Sequence, residues 1–401
     1  MGRRFTVVDL FSGGGGMSYG FHAHPAFEVI GAVDAQLGKP SSKSGSLGCN
    51  STYALNIGIE PMIADLSSAV PWKVKKALGL RGPVDVLAAC PPCTGFTRTN
   101  SQNHLVDDSR NSLVPRVANY VRAFGPSVLI MENARELLMG NFKQHFIDLR
   151  GRLERLGYRV AGNVHMLTKF GLPQVRERAL IVAVRGDLAA RTLDDLWRGY
   201  KISDDALTVK RAIGHLPSLT AGAIDPFDSA HASPRFVSDH ALARIAAIPP
   251  DGGSWRDLIG RGEATEKFLT PAMRKLIDAG KLGNHPDVYG RMTWNKPAPT
   301  IKRECGHVGN GRYSHPTDDR LCTLRELAIL NGFPSTYKFG GTSLANKYRH
   351  VGDAVPPLIS YQIACAVDWC LTGIRPPVAE AVLPGTSLQA GDIVAAREEA
   401  A

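Results

Sequence analysis

The sequence predicts an α/β protein: a doubly wound, mostly parallel sheet with a second, smaller and irregular domain. Three observations predict it. Apolar runs of strand length alternate with amphipathic stretches through residues 5–184, and strands separated by helices form parallel sheets. The chemically informative residues gather where those runs end, the edge at which open α/β sheets take their ligands. After residue 186 the rhythm stops, and turn-rich pieces such as Ile248-Pro249-Pro250-Asp251-Gly252-Gly253 separate short apolar runs.

The predicted strands are 5–10, 27–33, 61–64, 84–89, 127–131, 159–164 and 179–184, each a short apolar run bounded by turn residues. Residues 113–124 and 142–156 carry apolar side chains at helical spacing. The Gly-, Ser- and Lys-rich insertion 36–50 reads as a mobile loop rather than an element. It leaves the second strand on the ligand edge. Residues 323–332 read as a helix ended by Gly332-Phe333-Pro334. The run 355–370 is too apolar for an exposed helix and is expected to pack back on the first domain. Four regions follow: 1–186, 187–290, 291–375 (which completes the first domain) and a disordered tail, 376–401.

At 401 residues the chain has room for a large core and a smaller companion. Hydrophobic and charged contents of 44% and 21% are those of a globular protein. No apolar run reaches the roughly 18 residues that span a bilayer, and the first strand starts too early for a signal peptide. Seven cysteines without a paired framework predict a reduced, cytoplasmic protein. The net charge of +10 favours a polyanionic partner such as nucleic acid.

Asp9-Leu10-Phe11-Ser12-Gly13-Gly14-Gly15-Gly16 links the first strand to a helix. Glycines there permit a tight turn and close backbone approach. Ser18 breaks the G-x-G-x-x-G pattern, which argues against a dinucleotide pyrophosphate. Asp34 ends the second strand, where an acid can accept from ribose hydroxyls. Asp65 ends the third, placed to accept from an adenine amino group, and Phe11 can stack on the base. Together these describe an adenosine-type site without a phosphate cradle. Cys93 lies in Cys90-Pro91-Pro92-Cys93-Thr94-Gly95, on a loop stiffened by two prolines. A thiol there is a candidate nucleophile; a buried apolar cysteine, a redox pair with Cys90 or half a zinc site are the alternatives, and no partner pair with zinc spacing follows. Glu132, in Met131-Glu132-Asn133, and Arg176 and Arg178, in Gln174-Val175-Arg176-Glu177-Arg178, follow on the same edge.

The order of these clusters, with Arg320 to Pro334 and Gly352-Asp353-Ala354-Val355-Pro356-Pro357, resembles the cytosine-5 DNA methyltransferase family over most of 5–185 and 290–372. The resemblance implies a Rossmann-like methyltransferase sheet, a target recognition domain in the irregular region, and S-adenosyl-L-methionine as cofactor. By it, Cys93 is the nucleophile and Glu132 contacts a flipped cytosine. Arg176 and Arg178 hold the base and a neighbouring phosphate. Phe11, Gly14, Asp34, Asp65, Pro92 and Leu113 line the cofactor pocket, with Ser12, Gly16, Ala35, Leu66, Asp353 and Ala354 beside them. It implies duplex DNA as partner, no metal, no membrane, a monomer in the cytoplasm on the nucleoid, and a cognate restriction endonuclease as companion. Asp353 stands where the family usually has Asn, adding a negative charge beside the zwitterionic end of the cofactor and raising the alternative of a modified S-adenosylmethionine-type cofactor. A second alternative is cytosine-5 methylation of tRNA; the length of 187–290 argues instead for reading a duplex.

Overall fold

Nine strands precede residue 186: β1 (Phe5–Leu10), β2 (Phe27–Asp34), β3 (Leu37–Lys39), β4 (Ser44–Ser46), β5 (Met62–Ile63), β6 (Val86–Ala89), β7 (Val128–Ala134), β8 (Tyr158–Met166) and β9 (Glu177–Arg185). The computed structural model describes residues 3–39, 44–92, 106–236, 238–280 and 288–396. Seven strands form one sheet in the order β5-β2-β1-β6-β7-β9-β8. Its first five are parallel, and β9 runs antiparallel to both β7 and β8.

The two faces of the sheet follow from the period of two along each strand. Val7, Val86, Ala88, Val128 and Ile130 face one core, with Met17, Phe21, Leu358, Ile359 and Ile363. Val8, Leu87, Ala89, Leu129 and Met131 face the other, with Val114, Val117, Val121, Leu149 and Leu153. Both faces are covered, so β6 and β7 are buried along their whole length. The covering helices are Gly16–Ala23 and Pro357–Thr372 on the first face, and Leu113–Phe124 and Gln144–Arg155 on the second. The late helix therefore returns to the first domain.

A further core draws on residues 209–354, including Ile245, Trp255, Met292, Ile301, Leu327 and Val351. The division expected at 187 falls nearer Thr208, because Leu193, Leu196, Trp197 and Ile202 pack into the first core. The insertion expected as a loop forms an antiparallel ribbon, β3 with β4, and runs into the helix Cys49–Ile57; residues 40–43 lie outside the described set. Its polar composition hid it: the ribbon is pinned by a few contacts such as buried Leu47 rather than by an apolar face.

The tail expected to be disordered is structured through residue 396. Val378, Ala381, Leu383 and Leu388 are buried in the first core, and β11 (Ile393–Ala395) pairs with β10 (Tyr200–Ile202). These apolar residues are too sparse to read as an element; Leu388 seats against Gly171, where a Cβ would stand 2.6 Å from it.

Candidate active site

The ends of the parallel strands open into a cleft. Phe11, Ser12, Gly14, Gly16, Asp34, Ala35, Asp65, Leu66, Pro92, Leu113, Glu132, Asp353 and Ala354, all singled out in the sequence, line it together. They come from seven separate stretches of chain.

The turn after β1 explains the first group. Phe11 and Gly13 both take left-handed backbone, φ 62° and 52°. That reversal lets Gly13 N–H donate to Asp34 Oδ2 at 2.9 Å. Asp34 Oδ1 accepts from Gln36 N–H at 2.6 Å, so this carboxylate joins the glycine turn to the root of the insertion. Gly16 serves packing: a Cβ there would stand 2.3 Å from Val355 O. Beneath the turn lies Asp9, fully buried, which the sequence reading passed over. Ser18 Oγ donates to its Oδ2 at 2.7 Å, and burial, with Asp34 nearby, raises its pKa to about 7.

At the other end of the cleft Glu132 is 8% exposed. On β7 and β9 Ala134 is opposite Arg178, which makes Glu132 and Arg178 diagonal neighbours within reach of long side chains. Arg178 Nε lies 2.7 Å from Glu132 Oε1, a contact of close opposite charges rather than an aligned hydrogen bond. Cys93 lies outside the described residues; Cys90, Pro91 and Pro92, which lead to it, line the cleft. Asn133, the partner of Glu132 in the sequence pair, is fully buried. Its Nδ2 donates to Pro91 O at 3.0 Å and its Oδ1 accepts from Ala134 N–H at 2.9 Å. It ties the end of β7 to the proline loop.

Arg176 was expected beside the substrate; among its partners are two backbone carbonyls of the later chain. It is 2% exposed, and its guanidinium donates to Ile301 O at 2.9 Å and Ala354 O at 3.1 Å. Gln174 Oε1 accepts from Ile301 N–H at 2.8 Å, and Val175 N–H donates to Ala298 O. Residues 174–176 thus stitch the first domain to the segment 298–301, and Arg178 reaches Glu132. Strand alternation puts 176 and 178 on one side, but Arg176 precedes β9 and meets a chain that no local pattern announces.

Two polar side chains of the cleft, His350 and Arg303, escaped the sequence reading. His350 Nε2 faces Leu47 O at 2.9 Å and its Nδ1 faces Thr52 Oγ1 at 2.9 Å; burial lowers its pKa, so the ring is neutral with the proton on Nε2. Arg303 pairs with Asp353 and donates to Gly38 O at 2.6 Å. The charge expected of Asp353 is therefore matched. Gly352 and Asp353 close the helix Leu344–Asp353 rather than opening the next one.

A family model described as C-5 cytosine-specific DNA methylase matches residues 5–369. The Type II methylase M.HgiDII of Herpetosiphon aurantiacus is 30% identical over 373 residues, spanning 92% of this chain and 97% of that protein. The Type II methyltransferase M1.HphI of Haemophilus parahaemolyticus is 29% identical, spanning 90% and 86%. A solved structure of a candidate DNA modification methyltransferase encoded in an E. coli prophage superposes with a TM-score of 0.60 at 20% identity, over 92% of this chain and 99% of that one. At that identity the likeness speaks to the fold.

Proposed function

The chain belongs to the C-5 cytosine-specific DNA methylase family and transfers a methyl group to carbon 5 of cytosine in DNA; we propose that S-adenosylmethionine is the donor, held in the cleft, and that Cys93 is the nucleophile. The observation that carries this is the convergence of the glycine turn, Asp34, Asp65, the proline loop and Glu132 on one cleft. The donor set suits that molecule. Asp34, Asp65, Glu132 and Asp353 make the lining acidic, which favours a cationic ligand, and a Cβ on Gly13 would meet nothing within 4 Å, so the turn leaves room beside it. When bound, the cofactor supplies an electrophilic methyl group on a sulfonium.

Cytosine carbon 5 is a weak nucleophile. The Cys93 thiolate adds to carbon 6, forming a C–S bond and placing an electron pair on carbon 5, which then takes the methyl. Glu132, sharing a proton with ring nitrogen 3, stabilises the negative charge made by that addition. Arg178 donates to the oxygen on carbon 2 and holds Glu132 in place. Removal of the carbon 5 proton by a base, with loss of the C–S bond, restores the ring and the thiolate. The base in a duplex must first be flipped out, at a cost of a few kcal/mol, which phosphate contacts from a chain of net charge +10 offset. Asn133 positions the proline loop, and Arg176 positions the second domain. The chain acts as a monomer on a specific site in cytoplasmic DNA, alongside a restriction endonuclease of the same specificity.

The test is a duplex carrying 5-fluorocytosine, whose fluorine cannot leave as a proton does. The chain with S-adenosylmethionine should form a covalent adduct that peptide mapping assigns to Cys93. Cys93→Ser should bind duplex without adduct or turnover; normal methylation by Cys93→Ser refutes the mechanism.

A further inference from the structure

Arg303 comes from the second core yet lies in the cleft of the first. Its neighbours Ile301 and Cys305 are buried at 0% exposure in that second core. The stitch made by Gln174 and Arg176 holds Ile301 on both its N–H and its carbonyl. The segment then passes directly over Gly352. A Cβ on Gly352 would stand 2.2 Å from Lys302 O and 2.6 Å from Arg303 N, well inside any tolerable contact, so the path of Lys302 and Arg303 exists because residue 352 has no side chain. This close passage sets the Arg303 guanidinium against the Asp353 carboxylate, with its other amino group on Gly38 O of the insertion.

The charges of the cleft make this arginine singular. Asp34, Asp65, Glu132 and Asp353 line it, and among the described lining residues Arg303 is the one lysine or arginine. Neither partner of the pair is sealed in: the Arg303 side chain is 21% exposed and that of Asp353 34%. A ligand ending in an amino acid group carries an ammonium and a carboxylate on one carbon. An Arg–Asp pair at the cleft wall presents the complementary two charges side by side, and a guanidinium has five N–H donors, so one that serves Asp353 and Gly38 O can still donate to a ligand carboxylate.

We propose that Arg303, paired with Asp353 at the cleft wall, takes the carboxylate of the zwitterionic amino acid end of the cofactor, beside the ammonium that Asp353 faces. This rests on the reading of the cleft as the S-adenosylmethionine site. It gives the aspartate a partner and a purpose: Asp353 answers the ammonium while Arg303 offsets its repulsion of the carboxylate, and no modified cofactor is needed.

The test compares two ligands by calorimetry on the full chain. S-adenosylhomocysteine carries the amino acid end; 5′-deoxy-5′-methylthioadenosine has the same nucleoside and sulfur without it. Arg303→Gln keeps an amide donor for Gly38 O but removes the charge, and Arg303→Lys restores the charge without the fork. Arg303→Gln should weaken S-adenosylhomocysteine about 10- to 100-fold, the range for hydrogen bonds to charged groups, and leave methylthioadenosine within about twofold. Arg303→Lys should recover part of the loss. Equal weakening of both ligands would mean that Arg303 only shapes the cleft and would overturn the proposal, as would no change for either. If the unaltered chain binds neither ligand, the cofactor reading falls and takes the proposal with it; if it binds both and Arg303→Gln changes nothing, only the proposal falls.

Discussion

Replacing Asn133 with Ala tests whether the proline loop is held by the strand next to it. Asn133 is fully buried, and only one orientation of its amide satisfies both neighbours, since Pro91 O must accept and Ala134 N–H must donate. The alanine removes both bonds and leaves a carbonyl and an N–H inside the protein. Each bond contributes about 0.5–1.5 kcal/mol, and a buried group left unsatisfied costs about 1–3 kcal/mol. The expected loss of stability is about 2–4 kcal/mol, against a typical total of about 5–15 kcal/mol. The effect on turnover follows from the loop. Two prolines leave it few donors of its own, so the Asn133 bond is a main tie between Pro91 and the sheet. Weakening that tie by about 0.5–1.5 kcal/mol lowers the ratio of competent to displaced loop about 2- to 13-fold. Turnover should fall by that factor while the dissociation constant for S-adenosylhomocysteine stays within about threefold. Asn133→Asp sharpens the test. It keeps the acceptor for Ala134 N–H, but an ionised carboxylate cannot donate to Pro91 O and repels it, whereas the protonated acid can donate; its relative turnover should rise as pH falls. Thermal denaturation, single-turnover methylation and calorimetry make the measurement. Wild-type turnover and melting temperature in Asn133→Ala would refute the reasoning.

Arg176 and Arg178 should separate cleanly. Arg176→Ala strips two buried carbonyls of their donor and should cost about 2–5 kcal/mol in denaturant unfolding, whereas Arg178→Ala should lower single-turnover rate about 10²- to 10³-fold with the smaller stability loss; the reverse order would reassign them. Acid should destabilise the second core through His315, whose pKa burial lowers to about 4. The unfolded chain then binds the extra proton more tightly, so this contribution is complete above about pH 6.5 and is lost as pH falls toward 4, on the order of 3 kcal/mol. The neighbouring Glu326, whose pKa is lowered chiefly by its bonds to Arg320 against the pull of burial, loses stability in the same direction. Unfolding free energies of His315→Asn between pH 4 and 7 should show a flatter slope than the parent; an unchanged slope would place the acid sensitivity elsewhere.

Most of the sheet and its ligand edge were legible along the chain. Each of the seven sheet strands has an apolar run of its own, and the period of two assigns side chains to faces without any knowledge of the partner. The helices Leu113–Phe124 and Pro357–Thr372 were legible for the same reason: local spacing or overall apolarity declares what they bury. The cleft residues were findable because parallel strands end on one edge, so a motif after each strand arrives at the same place. The insertion and the tail were not legible, since their few buried side chains acquire a partner only when distant chain packs against them.

The sequence by itself determined the class of fold, the family motifs and the edge on which the chemistry gathers, because these depend on local pattern and on the direction of strands. The tertiary structure alone decided what the arginines touch. Arg176 and Arg178 are two residues apart and alike in chemistry, yet one is enclosed by carbonyls of Ile301 and Ala354 while the other meets Glu132. Arg303 carries no motif at all and reaches the cleft because Gly352, far along the chain, leaves space for its backbone. A charged side chain takes its role from the groups that surround it after folding, and those groups come from parts of the chain that no local pattern connects.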